Sequence, residues 1–321
     1  MGRIHRTKMT CLGLGCICAA ACLSMAPRGF TMEVQSTWAT LKQYRYAHRG
    51  LHHQPQAARM YPKSDTNCYT DEEILIRDDA LRNFQGELIC ENTKEAFRAA
   101  IDHGFGVELD IRLSADGHLV VAHDSDLYRL TGTHLIVEEN SLEDIQGQGL
   151  LGTQQHVPLF KDVLDLFEAA QLPIICEIKP CDNVDEICMA CAELLQSYTL
   201  PYCIESFDPR CVKYFKDNHR EVVRGQLWQN YLNPQAKGPK NPGLRLMLTC
   251  LNTNFLTKPD FIAARFTDKN LLPALISCDV LAAKKVSWTL TCEQDLRKAE
   301  MSGAIAIFEG FIPESRPGQY R

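Results

Sequence analysis

Short apolar runs alternate with stretches of helical periodicity along most of the chain. The apolar runs predict strands over residues 46–50, 106–113, 119–123, 174–179, 202–206, 221–227, 286–290 and 304–308. Between them, apolar residues at helical spacing predict helices over 93–103, 158–170, 184–195, 209–218 and 293–301. Residues 228–270 hold four prolines, and they are predicted to form a loop-rich excursion with one strand candidate, 244–251.

This order of elements predicts the fold class. Strands that alternate with helices pair in parallel through right-handed crossovers, so the chain is expected to be an α/β protein built as a closed (β/α)8 TIM barrel. An open doubly wound sheet is the alternative. It is disfavoured because no glycine-rich phosphate loop follows the first strand.

Charged and aliphatic side chains alternate in residues 106–113. Glu108, Asp110 and Arg112 share one face of the predicted strand, and the aliphatic residues share the other. Two acids on a face that is covered lose hydration and repel each other, unless a cation or a shared proton offsets the charge. A hard divalent ion is one solution. A solvated strand edge is the alternative that this alternation also permits.

Other predicted strands also bring titratable side chains to their ends. His48 and His123 end two of the runs, and Glu177 and Lys179 share a face at the end of a third. In a TIM barrel the carboxyl ends of the strands form the active-site face. These residues are therefore expected to converge with Glu108 there.

The polar motifs occur in an order that resembles the glycerophosphodiester phosphodiesterase family. The likeness begins near residue 44, extends to the C-terminus, and rests on His48-Arg49-Gly50, Glu91-Asn92-Thr93, Glu108-x-Asp110, Asp116-Gly117, His123-Asp124 and Glu177-Ile178-Lys179. Each motif is weak alone, whereas the ordered set is specific. Two features depart from the family pattern. Cys90 stands where the family usually has proline, and the segment 51–90 is longer than expected.

The resemblance implies a metal-dependent phosphodiesterase. Its metal ligands would be Glu108, Asp110 and Glu177, which hold one divalent cation, Mg²⁺ or Ca²⁺. Its two catalytic histidines would be His48 and His123, which act as general acid and general base in either order.

Further residues are candidates for shaping the substrate site. Arg49 and Lys179 offer positive charge to a phosphate group. Trp288 and Glu309, at the ends of late predicted strands, are candidates for lining the alcohol pocket. Glu91 and Asn92 are expected to support the site near His48, or else to cap the helix that follows. Seven further histidines are interpreted as surface or structural residues, and they are His52, His53, His103, His118, His134, His156 and His219.

The N-terminal segment, residues 1–30, is predicted to be a signal peptide or membrane anchor. Three basic residues precede an uncharged stretch over 9–27, and Arg28 follows it. The excess of positive charge before the stretch favours a catalytic barrel outside the cytoplasm, over residues 31–321. Residues 9–27 are therefore also expected to associate with a membrane.

Net charge bears on which partners the protein can bind, and cysteine content bears on the redox state of its compartment. The chain carries a formal charge of -6, and because residues 1–31 contribute four basic and no acidic side chains, the remainder carries -10 (-6 minus 4). This balance argues against nucleic acid as a partner. The partner that the family resemblance implies is a small-molecule phosphodiester. Fifteen cysteines without a framework spacing fit a reducing setting, and Cys188 and Cys191 are interpreted as core residues.

Three functional interpretations remain. The first is hydrolysis of glycerophosphodiesters to glycerol phosphate and an alcohol. The second is a lysophospholipase D-type reaction on membrane lysolipids. The third is an inactive barrel that serves as a binding protein, which is disfavoured because every proposed catalytic position keeps its residue type.

Overall fold

A barrel of parallel strands forms the centre of the protein, which is described by a computed structural model over residues 26–27, 31–53 and 88–314. The strands of this part are β1 (Tyr46–His48), β2 (Gly106–Leu113), β3 (Leu119–Val121), β4 (Ile174–Ile178), β5 (Tyr202–Ser206), β6 (Arg224–Trp228), β7 (Phe261–Arg265), β8 (Lys284–Leu290) and β9 (Ile305–Phe308). Its α-helices are α1 (Met32–Leu41), α2 (Lys94–Asp102), α3 (Tyr128–Thr131), α4 (Leu142–Gln146), α5 (Phe160–Ala170), α6 (Val184–Leu195), α7 (Pro209–Asn218), α8 (Pro242–Thr249), α9 (Asn254–Thr257), α10 (Leu272–Leu275) and α11 (Glu293–Met301).

Eight of the strands close into a ring. They follow the order β1, β2, β4, β5, β6, β7, β8 and β9, and β9 pairs back onto β1. Every pairing in the ring is parallel, whereas β3 lies antiparallel on β2 outside it. The (β/α)8 TIM barrel predicted from the sequence is confirmed, and the open sheet is excluded because β1 has a partner on both sides.

The alternation in β2 sorts its residues between two environments. Val107, Leu109 and Ile111 face outward into the layer between strands and helices, where they are fully buried with Phe97 and Phe167. The charged residues of β2 therefore face the inside of the barrel or its rim.

The amino-terminal end of the barrel is closed by apolar packing. Helix α1 brings Val34, Trp38 and Leu41 against the inward side chains of the strands. The Trp38 ring lies 5.5 Å from the ring of Phe261, and the Tyr46 hydroxyl donates to the carbonyl of Leu41 at 2.8 Å. Because this end is filled, the polar site lies at the opposite, carboxyl end.

One predicted element is wrong. The sequence predicts a strand over residues 244–251, but most of them belong to α8. Asn241 caps this helix through its side-chain oxygen, which accepts from the backbone N–H groups of Gly243 and Leu244, and Pro242 occupies the first turn. A short apolar run does not separate helix from strand by periodicity alone. The barrel strand of this region is β7.

Several sequence predictions fall outside the described residues. They concern the anchor segment 1–30, of which only residues 26–27 are described, and most of the segment 51–90. Within the described part of the chain, no helix is long and apolar enough to cross a membrane. The cysteines in that part are free thiols, and Cys188 and Cys191 are both buried.

Candidate active site

Three carboxylates meet at the carboxyl end of neighbouring strands. Asp110 of β2 lies in register with Glu177 of β4, and Glu108 lies one inward position earlier on β2. One carboxylate oxygen from each of these acids lies within 4.8 Å of the others, and all three residues are buried. The predicted ligands of the metal are therefore brought together by strand pairing.

Two cations border this acidic cluster. Lys179 Nζ lies 3.0 Å from Asp110 Oδ1 and 2.8 Å from Glu177 Oε1, and Arg49 Nε lies 3.5 Å from Asp110 Oδ2. Burial acts to raise the pKa of Asp110, but Lys179, His123 and Arg49 together hold it well below its ordinary value. Asp110 is thus an ionised carboxylate.

The cluster nevertheless contains three acids beside two cations, Lys179 and Arg49. Burial, followed by the charges of Asp110 and Glu177, raises the pKa of Glu108 well above its ordinary value. Glu177 Oε1 is buried and has no hydrogen-bond partner, since its contact with Lys179 lacks hydrogen-bond geometry. A buried carboxylate oxygen without a donor, beside a second acid that resists ionisation, suits a bound divalent cation. The residues present therefore fit the predicted metal.

A tight turn after β1 sets the position of His48. Gly50 follows at φ +81°, and a Cβ there would lie 2.7 Å from the Cβ of Ala96, so only glycine fits. His48 Nε2 faces the acids at 3.7 Å from Glu108 Oε2, and Nδ1 lies 3.0 Å from Glu309 Oε1. The sequence assigns Glu309 to the alcohol pocket, but in the structure it holds the imidazole of His48.

His123 reaches the same rim from the short antiparallel strand β3. The backbone N–H of Ala122 donates to the carbonyl of Asp110, and the Arg112 guanidinium donates to the carbonyl of His123 at 2.7 Å. His123 Nδ1 lies 2.7 Å from Asp124 Oδ1. Burial lowers the pKa of His123, and the nearby Lys179 adds to this effect. Each candidate histidine therefore has a carboxylate oxygen within hydrogen-bond distance of Nδ1.

Glu91 and Asn92 contact the site but do not cap the helix. The cap of α2 is Thr93, whose side chain accepts from the backbone N–H of Ala96. Asn92 Nδ2 donates to Asp110 Oδ2 at 2.8 Å. Glu91 accepts from Arg49 at 2.8 Å and also pairs with Arg129. The pair thus orients Asp110 and Arg49.

Aromatic side chains line the opposite side of the barrel mouth. Trp288 is half-buried, donates through Nε1 to the carbonyl of Ala263 at 2.8 Å, and lies 5.5 Å from the Phe207 ring. The Phe207 ring in turn lies 6.5 Å from Tyr231. Trp288 therefore belongs to a wall of rings across the barrel mouth from the acidic cluster.

Two neighbours of the site were missed in the sequence. Glu205 of β5 lies in register with Glu177, is 1% exposed, and has one oxygen without a partner. Its inward position could have been deduced from the alternation in residues 202–206. His52 is interpreted from the sequence as surface or structural, but it is buried with Nε2 3.5 Å from Glu309 Oε1. No periodicity in the turn after β1 points to this contact.

Comparisons with known proteins agree with the architecture and the motifs. The model of the glycerophosphoryl diester phosphodiesterase family matches residues 80–266. A glycerophosphodiester phosphodiesterase of Caldanaerobacter subterraneus is 35% identical over 236 residues, which cover 68% of this chain and 88% of that protein. Lysophospholipase D GDPD1 of Rattus norvegicus is 31% identical over 140 residues, 40% of this chain and 43% of that protein.

Solved structures share the fold. A phosphodiesterase of Oleispira antarctica, solved with the product sn-glycerol-3-phosphate, superposes with a TM-score of 0.56 at 21% identity, over 69% of this chain and 87% of that one. A glycerophosphodiester phosphodiesterase proposed for Galdieria sulphuraria gives 0.58 at 14% identity, over 84% and 94%.

The family model and the Caldanaerobacter relative together place the protein among the phosphoric diester hydrolases. Within that class, the chain belongs to the glycerophosphoryl diester phosphodiesterase family.

Proposed function

We propose that the protein hydrolyses glycerophosphodiesters to glycerol phosphate and an alcohol, with a divalent metal and two histidines. The observation that carries this proposal is the convergence of Glu108, Asp110 and Glu177 within 4.8 Å, with the His48 imidazole beside them. The family and the named activity of the Caldanaerobacter relative support it.

Glu108, Asp110 and Glu177 would hold the cation, Mg²⁺ or Ca²⁺. When bound, the ion would polarise a phosphoryl oxygen and neutralise part of the charge that builds on it. Arg49 and Lys179 would bind the remaining phosphoryl oxygens, because both cationic groups already lie at the edge of the cluster.

His48 and His123 would move the protons. One imidazole would accept the proton of the attacking hydroxyl or water, and the other would donate a proton to the departing alkoxide, a poor leaving group. A carboxylate at each Nδ1 orients the ring and fixes the tautomer that exposes Nε2. Such proton transfer is typically worth about 10²–10⁴-fold in rate.

The test is hydrolysis of glycerophosphocholine by the full chain with Mg²⁺ or Ca²⁺. Chelation should stop turnover, and added ion should restore it. His48→Ala and His123→Ala should each lower kcat by about 10²-fold or more, whereas His134→Ala, on an exposed histidine, should not. Turnover that survives chelation, or near-normal rates in both site variants, would contradict the proposal. A folded chain that binds the diester without hydrolysis would favour the inactive-barrel alternative.

A lysophospholipase D-type activity is the second candidate. It is favoured by the similarity to Lysophospholipase D GDPD1 of Rattus norvegicus and of Mus musculus, at 31% and 30% identity. A panel of diesters that differ in head group and in the presence of an acyl chain separates the two, because only this candidate predicts faster turnover of the acylated substrates.

The location of the barrel is a separate proposal. The basic residues before the uncharged stretch 9–27 support an anchor with the barrel outside the cytoplasm. Protease added to intact cells should then degrade the barrel, whereas protection until lysis would contradict this location.

A further inference from the structure

The connection between β6 and β7 exposes a group of large apolar side chains. Leu232, Leu244, Leu246 and Met247 form what we call the β6–β7 apolar surface, and their exposed fractions lie between 37% and 54%. Three of them belong to α8, which has only Thr249 buried. A short helix with exposed leucines is unusual for a surface in contact with water alone.

The same connection carries only positive charge. Residues 229–259 contain four basic side chains and no acid, although the chain from residue 32 onward has a net charge of -10 (-6 minus the +4 of residues 1–31). Lys237 and Lys240 are exposed, and neither forms an ion pair with another residue of the described ranges. Basic and apolar side chains are thus concentrated in one segment of an acidic protein.

The surface is held firmly on the barrel. The Arg245 guanidinium donates to the carbonyls of Tyr231 at 2.6 Å and of Asn233 and Ala236 at 3.2 Å each. Trp228 Nε1 donates to the carbonyl of Thr249 at 3.0 Å, which joins the end of α8 to the end of β6. These bonds fix the exposed leucines relative to the barrel.

The surface also adjoins the barrel mouth. It follows the carboxyl end of β6, which lies on the same face as the acidic cluster. Leu232 comes directly after Tyr231, whose ring belongs to the aromatic wall with Phe207 and Trp288. A molecule that covered the β6–β7 apolar surface would therefore lie beside the entrance to the site.

We propose that the β6–β7 apolar surface docks onto the face of an anionic lipid bilayer. The leucines and Met247 enter the boundary between head groups and acyl chains, and Lys237 and Lys240 contact the anionic head groups. Charge complementarity selects this occupant, because a two-fold contact with a second copy of the chain would bring the same positive segment against itself. The proposal goes beyond the proposed reaction and does not depend on it.

Tryptophan fluorescence in the full chain tests this docking. Leu246→Trp places a reporter on the surface, and Met301→Trp is the matched control. Met301 is 87% exposed at the end of α11, the helix that returns from β8 to the amino-terminal face of the barrel. Vesicles contain brominated phosphatidylcholine, either alone or mixed with phosphatidylglycerol. In the mixed vesicles, we expect bromine to quench the fluorescence of Leu246→Trp more than that of the parent chain, and Met301→Trp to add no such quenching.

Lysine variants test the charge. With Lys237→Ala and Lys240→Ala combined, the lipid concentration at half-maximal quenching should rise by about 25-fold, roughly fivefold for each lysine. Because the reporter detects one side chain, an N-terminal anchor would not imitate this result. The same quenching in a His48→Ala background separates docking from catalysis, so a failure of the proposed reaction leaves this test intact.

Three outcomes would overturn the proposal. The first is no added quenching at position 246. The second is equal quenching in vesicles without phosphatidylglycerol. The third is a dimer in sedimentation that Leu246→Glu dissociates, which would assign the surface to a second copy of the chain.

Discussion

Replacing Glu309 by glutamine should slow the reaction without weakening metal binding. Glu309 lies at the end of β9, and its Oε1 contacts His48 Nδ1 at 3.0 Å and His52 Nε2 at 3.5 Å. Burial acts to raise the pKa of Glu309, but the two imidazoles hold it well below its ordinary value. The carboxylate is therefore ionised at neutral pH, where it orients His48. Glutamine at this position keeps the shape of the side chain and removes its negative charge.

The expected loss follows from the difference between two kinds of hydrogen bond. A bond to a charged group is worth about 1.5–3 kcal/mol, and a neutral bond about 0.5–1.5 kcal/mol. The substitution thus removes about 1–2 kcal/mol of interaction with His48, which corresponds to a decrease in kcat of about 5–30-fold. Glu309 is not among the three clustered acids, so KM and the affinity for metal should change less.

The assay is steady-state hydrolysis of glycerophosphocholine at saturating metal, with calorimetric titration of the ion. Glu221→Gln is the matched control, because Glu221 is an exposed carboxylate that lies 3.5 Å from His219 Nδ1, away from the acidic cluster. This control should keep its kcat.

Two results would refute the reasoning about Glu309. An unchanged kcat would show that His48 needs no carboxylate partner. A loss of metal affinity as large as the loss in kcat would place Glu309 in the metal shell rather than behind the histidine.

Three more predictions concern stability. In the absence of metal, Lys179→Met should lower the free energy of unfolding by about 3–5 kcal/mol, because it removes a buried cation from beside two acids. Added Ca²⁺ should then raise the Tm of this variant more than that of the parent. Burial acts to raise the pKa of Glu91, but Arg49 and Arg129 lower it from 4.5 to about 2. Its ionised form therefore stabilises the fold above pH 4.5, by about 3 kcal/mol, and this is lost as pH falls towards 2. Glu91→Gln should accordingly be less stable than the parent in urea at neutral pH but not in strong acid. Gly50→Ala should cost about 1–3 kcal/mol in urea unfolding, because alanine tolerates neither the φ of +81° nor the contact with Ala96, and a wild-type midpoint would contradict this account.

Much of the fold and of the acidic cluster could be predicted from local sequence patterns. The alternation in residues 106–113 assigned Glu108 and Asp110 to one face, and the succession of strands and helices indicated the barrel. Those patterns are visible in the sequence because each depends on neighbours a few residues apart.

Other parts of the site depend on contacts between distant residues. His48 meets Glu309 only because β9 pairs with β1 across 261 residues of chain, and Glu205 joins the cluster only through its register with Glu177. Tertiary packing also determines that β7, and not residues 244–251, forms a strand of the ring, because β7 pairs with both β6 and β8. Local periodicity determined which face each side chain occupies. Closure of the barrel decided which of these faces meet, since the free energy of packing and pairing is gained only when all the strands are present.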